Sequence, residues 1–115
     1  MTNSTILHSN LKTTEEDTRI NELLNQIIGM IIRQLGENTH FELYLFGSRA
    51  KNEAAEGADI DLAISCPQLS EGVYRKVKRE IENIRTLYSI DLINLEAVDP
   101  DFKEIILADA RKLYG

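Results

Sequence analysis

The hydrophobic residues in the first third of the chain repeat with the period of an α-helix. They follow a capping signal, formed by Thr14 with Asp17 or by Thr13 with Glu16, and recur at steps of three and four residues. This spacing predicts a long amphipathic helix that ends at Gly36. The apolar stripe consists of Ile20, Leu23, Leu24, Ile27, Ile28, Ile31, Ile32 and Leu35.

Three short segments have the pattern of β-strands. Residues 41–46 form an apolar run, residues 59–65 alternate between apolar and polar or small side chains, and residues 89–95 form a third strand-like segment. The small and polar residues 50–58 predict a loop or a short helix between the first two strands.

Two more helices are predicted between and after these strands. One starts at Ser70, after Pro67 has ended the second strand, and the last starts at Asp99-Pro100, where proline is tolerated. Their apolar stripes are Val73, Val77, Ile81, Ile84 and Tyr88 for the first helix, and Phe102, Ile105, Ile106, Ala110 and Leu113 for the second.

Length and composition restrict the classes of protein. A chain of 115 residues predicts one domain, residues 14–115, preceded by a flexible tail at residues 1–13. The net charge of −6 disfavours a nucleic-acid backbone as a partner of the bulk surface. A single cysteine, no signal peptide and no apolar run of membrane-spanning length predict a cytoplasmic protein that makes no membrane contact.

Aspartates give the most informative chemical signal. Asp59 and Asp61 are two residues apart in a predicted strand, so their side chains point the same way, roughly 6–7 Å apart. At an effective dielectric constant near 20 their repulsion is about 2–3 kcal/mol, which a divalent cation would compensate. Asp91 adds a third carboxylate if the second and third strands are neighbours, and three carboxylates suit two metal ions. A solvated strand edge or a turn cap is the alternative interpretation.

A Gly-Ser-Arg turn follows the first strand directly. Gly47 permits close backbone approach, Ser48 adds a hydroxyl donor, and Arg49 adds a cation that can bind phosphate. The Gly-x-x-x-x-Gly-Lys-Ser/Thr sequence of a P-loop is absent from the chain.

Together these motifs resemble the DNA polymerase β-like nucleotidyltransferase superfamily. Its signature is Gly-Ser, a spacer of about ten residues, Asp-x-Asp, and a third acid on a later strand; here these are Gly47-Ser48, Asp59, Asp61 and Asp91. The stretch LFGSRAKNEAAEGADIDLAIS is most similar to the minimal nucleotidyltransferases (MNT) of prokaryotes. The resemblance implies an α/β (α+β) nucleotidyltransferase fold, with a small mixed β-sheet and helices packed mainly on one face.

The resemblance also implies a role for each motif residue. Asp59, Asp61 and Asp91 match the catalytic carboxylates that hold two Mg²⁺ ions, and the third can accept the proton of the attacking hydroxyl. Gly47 and Ser48 match the turn that binds the phosphates of a nucleoside triphosphate, with Arg49 as a neighbouring basic residue. Many members carry serine where this chain has Ala58, and both paired ligands remain.

Similar minimal proteins act as antitoxins of small helical HEPN toxins. The resemblance therefore implies a magnesium-dependent transfer of a nucleoside monophosphate, AMP from ATP, to a hydroxyl of a HEPN partner. Contact with nucleic acid is expected only indirectly, through that partner, because glutamates flank the basic run at residues 75–79 and a solvated helix face explains it.

Two alternatives remain open at this point. The protein could neutralise its partner by complex formation alone, or it could modify a small hydroxylated acceptor. The substitution Asp59→Ala separates catalysis from binding, because an antitoxin that only binds should still protect cells after this change.

Overall fold

The structure, a computed structural model, describes residues 14–115. The N-terminal tail predicted at residues 1–13 lies outside the described residues. Within the described part, no helix is both long enough and apolar enough to cross a membrane.

The first helix, α1 (Glu15–Leu35), confirms the predicted amphipathic stripe. Its capping box is formed by Thr14 and Asp17: the Asp17 N–H donates to Thr14 Oγ1 at 2.9 Å, and the Thr14 N–H donates to Asp17 Oδ2 at 3.2 Å. Gly36 ends the helix, as predicted, with a positive φ of 91°. Because Thr14 and Asp17 form the cap, the Glu16 carboxylate takes no part in it and instead accepts a hydrogen bond from the Gly57 N–H.

In the described part of the chain, four strands form one mixed sheet in the order β3-β2-β1-β4. The β1 strand pairs antiparallel with β2 and with β4, while β2 and β3 run parallel and are connected by helix α2 (Glu71–Glu82). A parallel pair requires such a crossover connection. The strands are β1 (Glu42–Phe46), β2 (Ile60–Ser65), β3 (Ile90–Asn94) and β4 (Arg111–Tyr114).

The end of the chain differs from the prediction of one continuous final helix. Helix α3 covers only Pro100–Ala108. Residues 111–114 are not helical and form β4, which pairs with the outer edge of β1. An unpaired edge strand exposes backbone donors and acceptors, and β4 satisfies those of β1. The predicted stripe is therefore confirmed only in part: Ile106 is buried and Leu113 packs against the core, whereas Phe102 and Ile105 are 45% and 69% exposed.

The two faces of the sheet are covered unequally. Helices α1 and α2 pack on one face over the main hydrophobic core, which includes Leu62 and Leu92, and among the elements of residues 14–115 only α3 packs on the other face. This confirms the expected mixed sheet with helices mainly on one face. Because side chains alternate along a strand, Asp61 and Asp91 point to the less covered face, on the side of α3.

Candidate active site

The Gly-Ser-Arg turn begins immediately after β1. Phe46 ends the strand, residues 47–49 form a single 3-10 turn, and residues 50–58 form the loop that was one of the two predicted possibilities. Gly47 has a φ of 77°, and a Cβ atom added there would lie 2.5 Å from Asp61 Oδ2. Only glycine therefore allows the backbone of this turn to approach the carboxylate so closely.

The three aspartates meet at the end of the sheet where β2 and β3 begin. Asp61 and Asp91 are direct partners in the parallel register, and Asp59 lies just before β2. Burial, followed by the charges of Asp59 and Asp91, raises the pKa of Asp61 above its ordinary range. The arrangement thus concentrates negative charge that a bound cation would neutralise.

Asp91 already has a cationic partner. The ammonium of Lys78, on α2, donates to Asp91 Oδ1 at 2.9 Å and to the Leu92 carbonyl oxygen at 3.2 Å, and it lies 3.4 Å from Glu82 Oε2. Burial opposes the charged form of Lys78, but the hydrogen bond to Asp91 and the neighbouring groups outweigh it and raise the pKa of Lys78. Lys78 therefore compensates the third carboxylate in this structure.

The residues present fit a divalent cation by type. Carboxylate oxygens are the donors that Mg²⁺ prefers, and the mutual repulsion felt by Asp61 is relieved by positive charge. Within residues 14–115, no three histidine, cysteine, aspartate or glutamate side chains stand close enough to form a ready-made metal cage. Since Lys78 holds Asp91, the fit rests first on Asp59 and Asp61.

The side chain of Arg49 contacts the end of the loop before Asp59, helix α1 and Tyr88. Its Nε and Nη2 both donate to the Ala58 carbonyl oxygen, at 3.1 and 2.6 Å, and its guanidinium lies 5.3 Å from the centre of the Tyr88 ring. Nη1 is 3.7 Å from Glu16 Oε1, and the side chain is only 9% exposed. The predicted phosphate contact of Arg49 stays a prediction, and the geometry assigns its guanidinium to the loop before Asp59.

Sequence patterns did not indicate three of the residues that support the site. Glu16 accepts hydrogen bonds from the Gly57 N–H at 2.9 Å and from the Tyr88 hydroxyl at 3.2 Å. The bond from Gly57, aided by Tyr88 and Arg49, holds the pKa of Glu16 below its ordinary value. Sequence patterns indicated other roles for them: a helix cap for Glu16, a helix stripe for Tyr88 and a solvated helix face for Lys78. Their roles at the site depend on contacts between distant segments, which local patterns do not show.

The fold and the site together define a nucleotidyltransferase. Residues 30–115 match the family described as Polymerase beta, Nucleotidyltransferase, and the chain belongs to this family. It is 30% identical over 89 residues to a protein of Haemophilus influenzae named "Probable protein adenylyltransferase MntA", covering 76% of this chain and 73% of that protein.

Solved structures share the fold at low sequence identity. One is a tri-AMPylated Shewanella oneidensis HEPN toxin in complex with MNT antitoxin, with a TM-score of 0.61 at 19% identity, covering 83% of this chain and 71% of the other. Another is a toxin-antitoxin with AMP-PNP, with a TM-score of 0.60 at 19% identity, covering 78% and 72% of the two chains. These likenesses confirm the expected nucleotidyltransferase fold.

Proposed function

We propose that this protein transfers AMP from ATP to a hydroxyl group of a HEPN toxin and thereby acts as the antitoxin. The observation that carries the proposal is the register pairing of Asp61 with Asp91, beside Asp59 and against the backbone of Gly47. This arrangement brings a carboxylate cluster next to a glycine turn, as transfer of a nucleotidyl group requires.

Each motif residue has a role in the proposed site. Asp59, Asp61 and Asp91 hold Mg²⁺, and the Gly47-Ser48 turn binds the phosphates of ATP. Bound as two ions, Mg²⁺ would supply the positive charge that neutralises the triphosphate and the departing pyrophosphate. The protein contributes by holding the acceptor hydroxyl in line with the α-phosphorus.

The reaction is a displacement at the α-phosphorus of ATP. The acceptor oxygen forms a bond to that phosphorus, the bond from the phosphorus to the bridging oxygen of pyrophosphate breaks, and pyrophosphate leaves. Asp91 accepts the proton of the attacking hydroxyl and releases it to solvent. Before the substrates arrive, the ammonium of Lys78 donates a hydrogen bond to this carboxylate.

Relatives support the acceptor and the partner. The Haemophilus influenzae relative is named a protein adenylyltransferase, which favours AMP as the transferred group and a protein as the acceptor. The same fold occurs in a complex with an AMPylated HEPN toxin, which favours such a toxin as that acceptor. We place the reaction in the cytoplasm, with nucleic acid contacted only through the toxin.

The test is a tagged pull-down from the native host, followed by intact-mass spectrometry of the partner before and after incubation with ATP and Mg²⁺. We expect a small helical protein that gains the mass of one or more AMP groups. The Asp59→Ala variant should bind the partner without modifying it, and Asp109→Asn, which removes an exposed carboxylate elsewhere, should retain activity.

Two outcomes would support the alternative functions. A stoichiometric partner that is never modified, with cells still protected by Asp59→Ala, would establish neutralisation by binding. If no protein is retained and a small hydroxylated compound accepts the AMP group, the HEPN partner is wrong and the protein is an enzyme for small acceptors.

A further inference from the structure

The loop between the Gly-Ser turn and Asp59 is closed by side-chain contacts rather than by a hydrophobic core. It spans residues 50–58, and most of its residues are exposed. Yet its last residue, Ala58, immediately precedes the first carboxylate of the site. The position of Asp59 therefore depends on what holds this end of the loop.

Arg49, the last residue of the Gly-Ser-Arg turn, binds the end of this loop. Two N–H groups of one guanidinium converge on the Ala58 carbonyl oxygen, at 3.1 and 2.6 Å. That carbonyl belongs to the peptide group that joins Ala58 to Asp59, and a peptide group is planar. Fixing its oxygen therefore fixes the orientation of the Asp59 N–H and Cα as well.

Glu16 holds the same loop from helix α1. One carboxylate oxygen accepts from the Gly57 N–H at 2.9 Å, and the other lies 3.7 Å from Arg49 Nη1. Tyr88 completes the arrangement, because its hydroxyl donates to Glu16 while its ring packs under the Arg49 guanidinium. Arg49 and Glu16 are both largely shielded from solvent, with side chains 9% and 18% exposed.

We infer that Arg49 and Glu16 are positioning residues that couple the Gly47-Ser48 turn and helix α1 to Asp59. Arg49 reaches the site through the Ala58 carbonyl and does not bind the nucleotide. Lysine cannot replace it, because a single ammonium lacks the planar pair of donors that converge on one oxygen. The kinetic part of this inference rests on the proposed function.

The kinetic test compares Arg49→Lys and Glu16→Gln with the matched control Glu15→Gln, which changes a neighbouring exposed carboxylate of the same helix. We expect Arg49→Lys to lower kcat roughly tenfold or more, since a small displacement of a reacting group has a large effect on rate. The KM for ATP should stay within about twofold of the wild-type value. Glu16→Gln should also lower kcat, but less strongly. The decrease in kcat of the double variant should be smaller than the product of the two single decreases, because the two residues act through the same loop.

Two measurements do not depend on the acceptor or on turnover. In Arg49→Lys, Mn²⁺ binding followed by calorimetry should weaken several-fold, because Asp59 is no longer held in place. The Gly57 amide should also exchange its hydrogen faster in Glu16→Gln, whereas exchange in the α1 core should match the wild type. These readouts test the inference even if the HEPN partner proves wrong.

The opposite results would overturn the inference. If Arg49→Lys raises the KM for ATP while kcat is kept, and Glu16→Gln has no effect, the guanidinium contacts the nucleotide. If Mn²⁺ affinity per folded molecule and Gly57 exchange are unchanged in both variants, the contacts only stabilise the fold.

Discussion

Replacing Asp61 by asparagine should make the metal-free protein more stable while it destroys the metal site. Asp61 lies beside Asp91 in the register of the sheet, and Asp59 precedes it by two residues. Carboxylates at this strand spacing are about 6–7 Å apart and repel by about 2–3 kcal/mol at a dielectric constant near 20. Asp61 is only partly buried, so solvent and salt reduce the expected gain to about 1 kcal/mol.

The stability gained by Asp61→Asn should increase with pH. Burial, and then the charges of Asp59 and Asp91, raise the pKa of Asp61 above the ordinary value of 3.8. The folded state therefore binds this proton more tightly than the unfolded state, and ionised Asp61 lowers stability at neutral pH. The advantage of Asp61→Asn is full above the folded pKa, and it shrinks as the pH falls through that pKa towards 3.8.

The assay is urea and thermal unfolding at low ionic strength, with a chelator present. A gain of about 1 kcal/mol corresponds to about 3–6 °C in Tm for a domain of this size. Asp109→Asn is the control, because it removes the same charge from an exposed residue 4.0 Å from Lys51 and should change stability by less than about 0.5 kcal/mol.

Adding Mn²⁺ and ATP should make the wild type more stable than Asp61→Asn, because only the wild type gains stability from binding them. The reasoning is refuted if Asp61→Asn is less stable than the wild type in chelator at neutral pH. That result would mean that the Asp61 carboxylate makes a stabilising contact which outweighs the repulsion.

Two further substitutions test the neighbouring parts of the site. Gly47→Ala should lower the free energy of unfolding by about 2 kcal/mol and lower activity about a hundredfold or more. The reason is that the added Cβ would lie 2.5 Å from a carboxylate oxygen, at a backbone position with positive φ. Gly36→Ala, also at a positive φ but with no atom within 4 Å of its Cβ, should cost about 1 kcal/mol and keep activity. Lys78→Met should lower stability by less than about 1 kcal/mol and strengthen Mn²⁺ binding on the order of tenfold, because Asp91 loses a competing cation. Calorimetry measures this against Lys76→Met on the same helix, and weaker Mn²⁺ binding would mean that Lys78 instead orients Asp91 for the metal.

Local patterns in the sequence were sufficient to predict the elements that carry the motif. Helix α1 and its cap depend on side chains within a few residues of each other, and they form as predicted. The alternation of side chains along β2 is local as well, although Asp59 lies just before the strand, and the parallel pairing of β2 with β3 then brings Asp61 opposite Asp91. Spacing along the chain thus identified the candidate site.

Tertiary structure decided the features that join distant segments. Residues 111–114 carry a pattern compatible with a helix, and they become β4 because the edge of β1 has backbone groups to satisfy. Lys78 and Arg49 lie in segments that look solvated or phosphate-binding, and packing directs them to Asp91 and to the Ala58 carbonyl instead. A hydrogen bond between distant segments forms only if the fold brings its donor and acceptor together. The periodicity of either segment carries no information about the position of the other, so such a bond cannot be predicted from local patterns.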